Sequence, residues 1–92
     1  MFYVISYDIC DDKRRNKIAG IMKDYGERVQ FSVFECDIEK QMMERLVSKV
    51  RDVINMEEDS VRIYLQCKQC LSKVVILGKG KITKDDSEVF VI

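Results

Sequence analysis

Ninety-two residues, 47% of them hydrophobic and 35% charged, fit one small domain with a modest core, for which a homodimer is a reasonable expectation. Sixteen cations balance sixteen anions, which excludes a broad, sequence-blind polyelectrolyte. No apolar run approaches a membrane span and no signal-peptide pattern opens the chain, so a cytoplasmic protein with no membrane partner is expected.

Residues 2–9 (FYVISYDI) are β-branched and aromatic, as in a central strand. Tyr3, Ile5, Tyr7 and Ile9 fall on one face, and Phe2, Val4, Ser6 and Asp8 on the other. Asp11 or Asp12 can cap a helix on which Ile18, Ile21, Met22 and Tyr25 recur at helical spacing, with Gly26 at its C-terminal end. Residues 28–36 (RVQFSVFEC) predict a second strand, with Val29, Phe31 and Val33 on one face and Gln30, Ser32 and Phe34 on the other. An amphipathic helix over 39–54 carries Met43, Leu46, Val47, Val50 and Ile54 on one stripe. NMEEDS (55–60) reads as a polar loop, and 61–67 (VRIYLQC) as a strand alternating Val, Ile, Leu and Cys against Arg, Tyr and Gln. A short strand at 73–77, a turn at 78–81 and an apolar strand at 88–92 complete the chain. We read the order as β-α-β-β-α-β with one extra C-terminal strand: an α+β, ferredoxin-like sandwich forming a single domain over 1–92. The apolar end of the chain is expected to add to a sheet, its own or that of a second copy.

The chain has no histidine, so imidazole bases and His-containing triads are excluded. No phosphate-binding glycine loop follows the first strand. Cys67-x-x-Cys70 is half of a zinc set whose other half would need Cys10 and Cys36; small buried thiols are the simpler expectation. What remains is water activated by a divalent cation. Asp8, near the end of the first strand, is the best ligand candidate. One carboxylate per chain is thin, and a two-fold dimer would supply a second. The alternative is an Asp8 satisfied by turn amides before the helix.

Lys13, Arg14, Arg15 and Lys17 crowd the first helical turns, where cations oppose the helix dipole. A phosphodiester would offset them, and Arg28 could join that cluster. Phe34 is a candidate for base stacking. Residues 60–84 hold six cations and no anion, so Lys79, Lys81 and Lys84 form a candidate nucleic-acid-facing block, against the bland reading of a solvated face.

YDI (7–9), DDKRRNKI (11–18) and YGERVQFSVFEC (25–36), followed by DSVRIYLQCKQC (59–70) and VVILGKG (74–80), resemble the small CRISPR-associated nuclease family. That resemblance implies a ferredoxin-like homodimer whose terminal segment, 78–92, crosses to the other subunit. It implies Mg²⁺ or another divalent cation between two copies of Asp8, and the integrase subunit of spacer acquisition as partner. Single-stranded RNA and double-stranded DNA are the implied substrates; a non-catalytic DNA-binding scaffold and a toxin-like ribonuclease are the alternatives. By position, Tyr7 matches a tyrosine beside the metal, Arg15 and Arg28 match phosphate-facing arginines, and Phe34 matches the phenylalanine of an SVF motif. Lys17 stands where members carry arginine; lysine keeps the charge and loses the bidentate fork.

Overall fold

The computed structural model describes residues 1–79 and 90–91; Lys81, Lys84 and most of the terminal EVFVI stretch lie outside the described residues. The elements run β1 (Phe2–Asp8), α1 (Asp12–Lys23), β2 (Glu27–Gln30), β3 (Val33–Asp37), α2 (Lys40–Arg51), β4 (Ser60–Gln66), α3 (Lys68–Leu71), β5 (Val75–Ile76) and β6 (Phe90–Val91). The main sheet has the order β2-β3-β1-β4, with every neighbouring pair antiparallel. Each helix therefore crosses from one strand to the next but one, which is the ferredoxin-like α+β plan.

The alternation of β1 decides which face is core. Tyr3, Ile5, Tyr7 and Ile9 are buried with Ile18 and Met22 of α1 and Met43, Leu46 and Val50 of α2. Phe34 and Cys36 of β3 complete this layer, both fully buried. On the opposite face the register sets Ser6 against Arg62 and Val33, Val4 against Tyr64 and Glu35, and Asp8 against Ser60. Helices α1 and α2 both pack on the other side.

Four sequence expectations need correction. The single strand expected over 28–36 is a hairpin: β2 and β3 turn at Phe31 and Ser32, and the ladder shifts register between Arg28 and Gln30. A short tight turn inside a β-branched, aromatic run has no glycine to announce it. Gly26 is not a left-handed helix terminator, because among the described residues only Gly78 has a positive φ. Gly26 is required by close approach instead: a Cβ there would meet the Glu35 carbonyl oxygen at 2.2 Å and Cys36 Sγ at 2.5 Å. The strand at 73–77 shrinks to β5, paired in parallel with β6 in a separate two-stranded sheet, and one helical turn, α3, precedes it. Finally, only Cys36 is a buried thiol; Cys10, Cys67 and Cys70 are exposed.

The start of α1 follows the expected chemistry. Asp11 is the cap, its carboxylate accepting from the Arg14 backbone N–H at 2.9 Å. Such a cap stabilises a helix by about 1 kcal/mol. Asp12 adds negative charge to the first turn. The four cations of this stretch thus begin a helix whose own acids already answer part of the dipole.

Candidate functional site

Four segments meet at one end of the sheet: the C-terminal end of β1, the start of α1, the β2–β3 hairpin tip and the start of β4. Antiparallel pairing brings this about, since Asp8 lies opposite Ser60 and the Tyr7 N–H donates to the Ser32 carbonyl at 3.1 Å.

Asp8 is exposed on the open face, in a shallow hollow of about 300 Å³ lined by Ser6, Tyr7, Ser60, Arg62 and Tyr64 as well. Its carboxylate has no hydrogen bond and no ion pair among the described residues. The turn amides do not satisfy it. The Cys10 N–H, two residues on, donates instead to Asp59 Oδ1 at 3.1 Å.

Asp59 is the residue that sequence reasoning passed over as part of a polar loop. Its side chain is wholly shielded from solvent and accepts from Arg14 Nε at 2.8 Å, Arg14 Nη2 at 3.2 Å and the Asn55 N–H at 2.9 Å. The Arg14 hydrogen bond leads in holding its pKa down to about 2, against the desolvation that opposes it. Glu58 adds a second carboxylate to Arg14 at 3.1 Å. Arg14, expected to face nucleic acid, is therefore committed to a structural latch between α1 and the loop before β4. Charge-assisted, forked contacts of this kind fix geometry as well as charge. The latch also satisfies the turn after β1 and leaves Asp8 uncompensated.

The other nominated residues divide by face. Tyr7 is buried on the helix side, away from the Asp8 carboxylate. Its hydroxyl donates to the Phe31 carbonyl at 3.4 Å, and its ring stacks on Phe34 with centroids 6.2 Å apart. Phe34 is fully buried, so the expectation that it stacks on a base is corrected: it belongs to the core. Arg28 is exposed, its guanidinium 5.2 Å from the Phe34 centroid and 6.0 Å from that of Phe31, and it donates to the Tyr7 hydroxyl at 3.5 Å. Two ring faces hold that cation near the hairpin tip. Phe31, 78% exposed at the tip, is the aromatic side chain free to meet a ligand there.

Arg15 pairs with Asp12 one turn away on the surface of α1. An exposed pair of this type is worth about 0–1 kcal/mol, so an incoming phosphate can replace it. Lys13 and Lys17 are exposed and make no ion pair among the described residues.

The basic block of 60–84 is not one patch among the described residues. Arg62 stands beside Asp8, Lys68 lies on α3 at the far end of β4, and exposed Lys79 lines a groove of about 360 Å³ between β5 and the β2–β3 hairpin. Arg62 and Tyr64 were missed as site residues. The Tyr64 phenol, hydrogen-bonded to Arg62, raises the guanidinium's pKa. Their alternation in VRIYLQ was visible, but only the β1–β4 register sets them on the face of Asp8.

No group of three or more Cys, Asp or Glu side chains that could hold a metal exists among the described residues of one chain. An exposed, unpartnered carboxylate fits a divalent cation as one ligand of several, with a second copy or water supplying the rest. No helix of the described residues is long and apolar enough to cross a membrane.

The family model described as "CRISPR associated protein Cas2" matches residues 1–74. The chain is 44% identical over 89 residues to a CRISPR-associated endoribonuclease Cas2 of Synechocystis, covering 97% of both chains. It is 42% identical over 80 residues to a CRISPR-associated endonuclease Cas2 of Thermus thermophilus, covering 87% of this chain and 84% of that one. Among solved structures, Streptococcus pyogenes Cas2 superposes with a TM-score of 0.75 at 32% identity, covering 85% of this chain and all of the other. A chain of a partial Cas6-RT-Cas1–Cas2 complex superposes with a TM-score of 0.63 at 32% identity, covering 78% and 84%.

Proposed function

Because the chain belongs to the CRISPR-associated Cas2 family, we propose that it is a nuclease that hydrolyses phosphodiester bonds in RNA or DNA, with a divalent cation held by Asp8 from each of two copies. The observation that carries this reading is the Asp8 carboxylate: exposed, unpartnered among the described residues, and freed from its turn by Asp59. Mg²⁺ is the favoured cation, since oxygen ligands and retained water suit it. When bound, it would supply Lewis acidity at the scissile phosphate.

The chain's own residues do the positioning. Arg62 and Arg28, at the same end of the sheet, bind phosphate oxygens and stabilise the charge that builds on them. Arg15 exchanges Asp12 for phosphate, with Lys17 adding charge on the same helix. Tyr7 and Phe34 act indirectly, holding Arg28 against the hairpin tip. Lys79, with Lys81 and Lys84, would extend the contact to a longer nucleic acid. The homodimer, exchange of the 78–92 segment and a cytoplasmic setting belong to the same proposal.

Asp8→Asn tests it. Magnesium-dependent cleavage of single-stranded RNA and double-stranded DNA should be lost, while the dimer survives on size exclusion. Cleavage by highly purified Asp8→Asn at the wild-type rate would refute it. A second reading, a DNA-binding subunit that works beside an integrase without cutting, is favoured by the Cas1-containing complex in which one structural relative was solved. It predicts salt-sensitive duplex binding unchanged by Asp8→Asn.

A further inference from the structure

Cys67 immediately precedes, and Cys70 lies within, the single turn α3 that follows edge strand β4. Cys67 caps that turn, its Sγ accepting from the Cys70 backbone N–H at 3.4 Å. Both side chains are exposed, three positions apart on that turn. No third Cys, Asp or Glu among the described residues joins them in a metal cluster, so the pair does not fit a closed zinc site within one chain. Two thiols three positions apart on one turn, open to solvent and without a metal set, are suited to two-electron chemistry with each other.

We propose that Cys67 and Cys70 form an oxidisable dithiol, which closes to an intramolecular disulfide by exchange with a low-molecular-weight disulfide. Cys67, as thiolate, attacks one sulfur of the small disulfide and expels one small thiolate, leaving a mixed disulfide on Cys67. Cys70, losing its proton to solvent, attacks the Cys67 sulfur and expels the second small thiolate. Two protein thiols are oxidised and one small disulfide is reduced to two thiols, with protons balanced through water.

The environments divide these roles. The Cys70 backbone N–H and side chain lower the pKa of Cys67, whereas the neighbouring Cys67 raises that of Cys70. An attacking cysteine N-terminal to a resolving one follows. The remaining thiols serve as internal controls. Cys36 is fully buried, and burial pushes its pKa up to about 11. Cys10 is exposed but has no cysteine neighbour, its thiol hydrogen-bonding to the Glu58 carbonyl at 3.2 Å. Leu71, buried beside Cys70, anchors the turn, so closing the bridge fixes the direction in which the chain leaves β4.

The test equilibrates the full-length chain in buffers of defined reduced-to-oxidised glutathione ratio, quenches with acid, alkylates and maps the cysteines by mass spectrometry. The expected result is a bridged 67–70 pair in oxidising buffer, reopened by dithiothreitol, with Cys10 carrying glutathione at most and Cys36 unmodified in the folded protein. Cys70→Ser should trap glutathione on Cys67 and leave Cys67, which still accepts from the backbone N–H of residue 70, faster to react with iodoacetamide at neutral pH than Cys70 is in Cys67→Ser. Separate glutathione adducts on both cysteines with no bridge would overturn the proposal. So would equal alkylation rates of Cys67 and Cys70 in the two single variants.

Discussion

Gly26→Ala should destabilise the protein and Gly20→Ala should stabilise it, although both add one methyl group. At Gly26 the new Cβ would sit 2.2 Å from the Glu35 carbonyl oxygen, and the gap must open to at least 3.0 Å. Strand β3 cannot simply retreat, because Glu35 is paired with Val4 on one side and Glu27 on the other. The second obstacle, Cys36 Sγ at 2.5 Å, belongs to a fully buried side chain. Overpacking of this kind costs about 2–3 kcal/mol, which lowers the melting temperature of a domain this size by about 10–20 °C. Gly20 is exposed within α1 and a Cβ there meets nothing within 4 Å. Replacing it gains about 1 kcal/mol of helix propensity. Urea and thermal unfolding at one fixed protomer concentration would measure both, since assembly contributes to apparent stability. Arg28 lies two residues past the tight corner, so Gly26→Ala should also loosen its contact with Tyr7 and weaken RNA binding. A Gly26→Ala protein within about 0.5 kcal/mol of wild type would refute the close-approach argument.

Phe34→Ala should cost about 3–5 kcal/mol through the cavity it leaves, whereas Phe34→Leu should retain RNA binding; a fully stable Phe34→Ala protein that had lost only binding would restore a stacking role. The latch makes a pH prediction. Asp59 titrates at about 2 when folded against 3.8 ordinarily, so its contribution is complete above pH 3.8 and disappears as pH falls toward 2. Acid unfolding followed by circular dichroism should show this loss in wild type, while Asp59→Asn should be less stable at pH 7 and lack that component; identical acid profiles would contradict it. Arg62→Glu should weaken RNA binding and reduce the salt slope by about one unit. Arg14→Gln should lower the melting temperature and leave the affinity of the folded protein unchanged, and the reverse pattern in fluorescence-anisotropy titrations would exchange their roles.

The sequence made the helix-facing side of the molecule legible because burial writes itself into periodicity. Tyr3, Ile5, Tyr7 and Ile9 alternate, and Ile18, Met22, Leu46 and Val50 recur at helical spacing, so core and helices were predictable. Asp8 was visible as a polar residue ending an apolar strand. The β2–β3 turn was hidden because Phe31 and Ser32 carry no turn signature and continue a strand-like run. Asp59 was hidden for a different reason. Two of its partners, Cys10 and Arg14, lie more than forty positions away in the chain, and no local pattern distinguishes a shielded carboxylate from a solvated one. Arg62 reached the site through strand register, a long-range fact. Arg14 and Arg15 illustrate the same limit: adjacent cations in one basic run, one committed to a latch and one held by a weak surface pair.

Calorimetric titration of the purified protein with Mg²⁺, alongside sedimentation to confirm the dimer, tests most directly whether the Asp8 carboxylates grip a shared cation. The account predicts one bound cation for every two chains, with binding abolished in Asp8→Asn while the dimer persists. Undiminished Mg²⁺ binding by that variant, or one cation per chain, would contradict it.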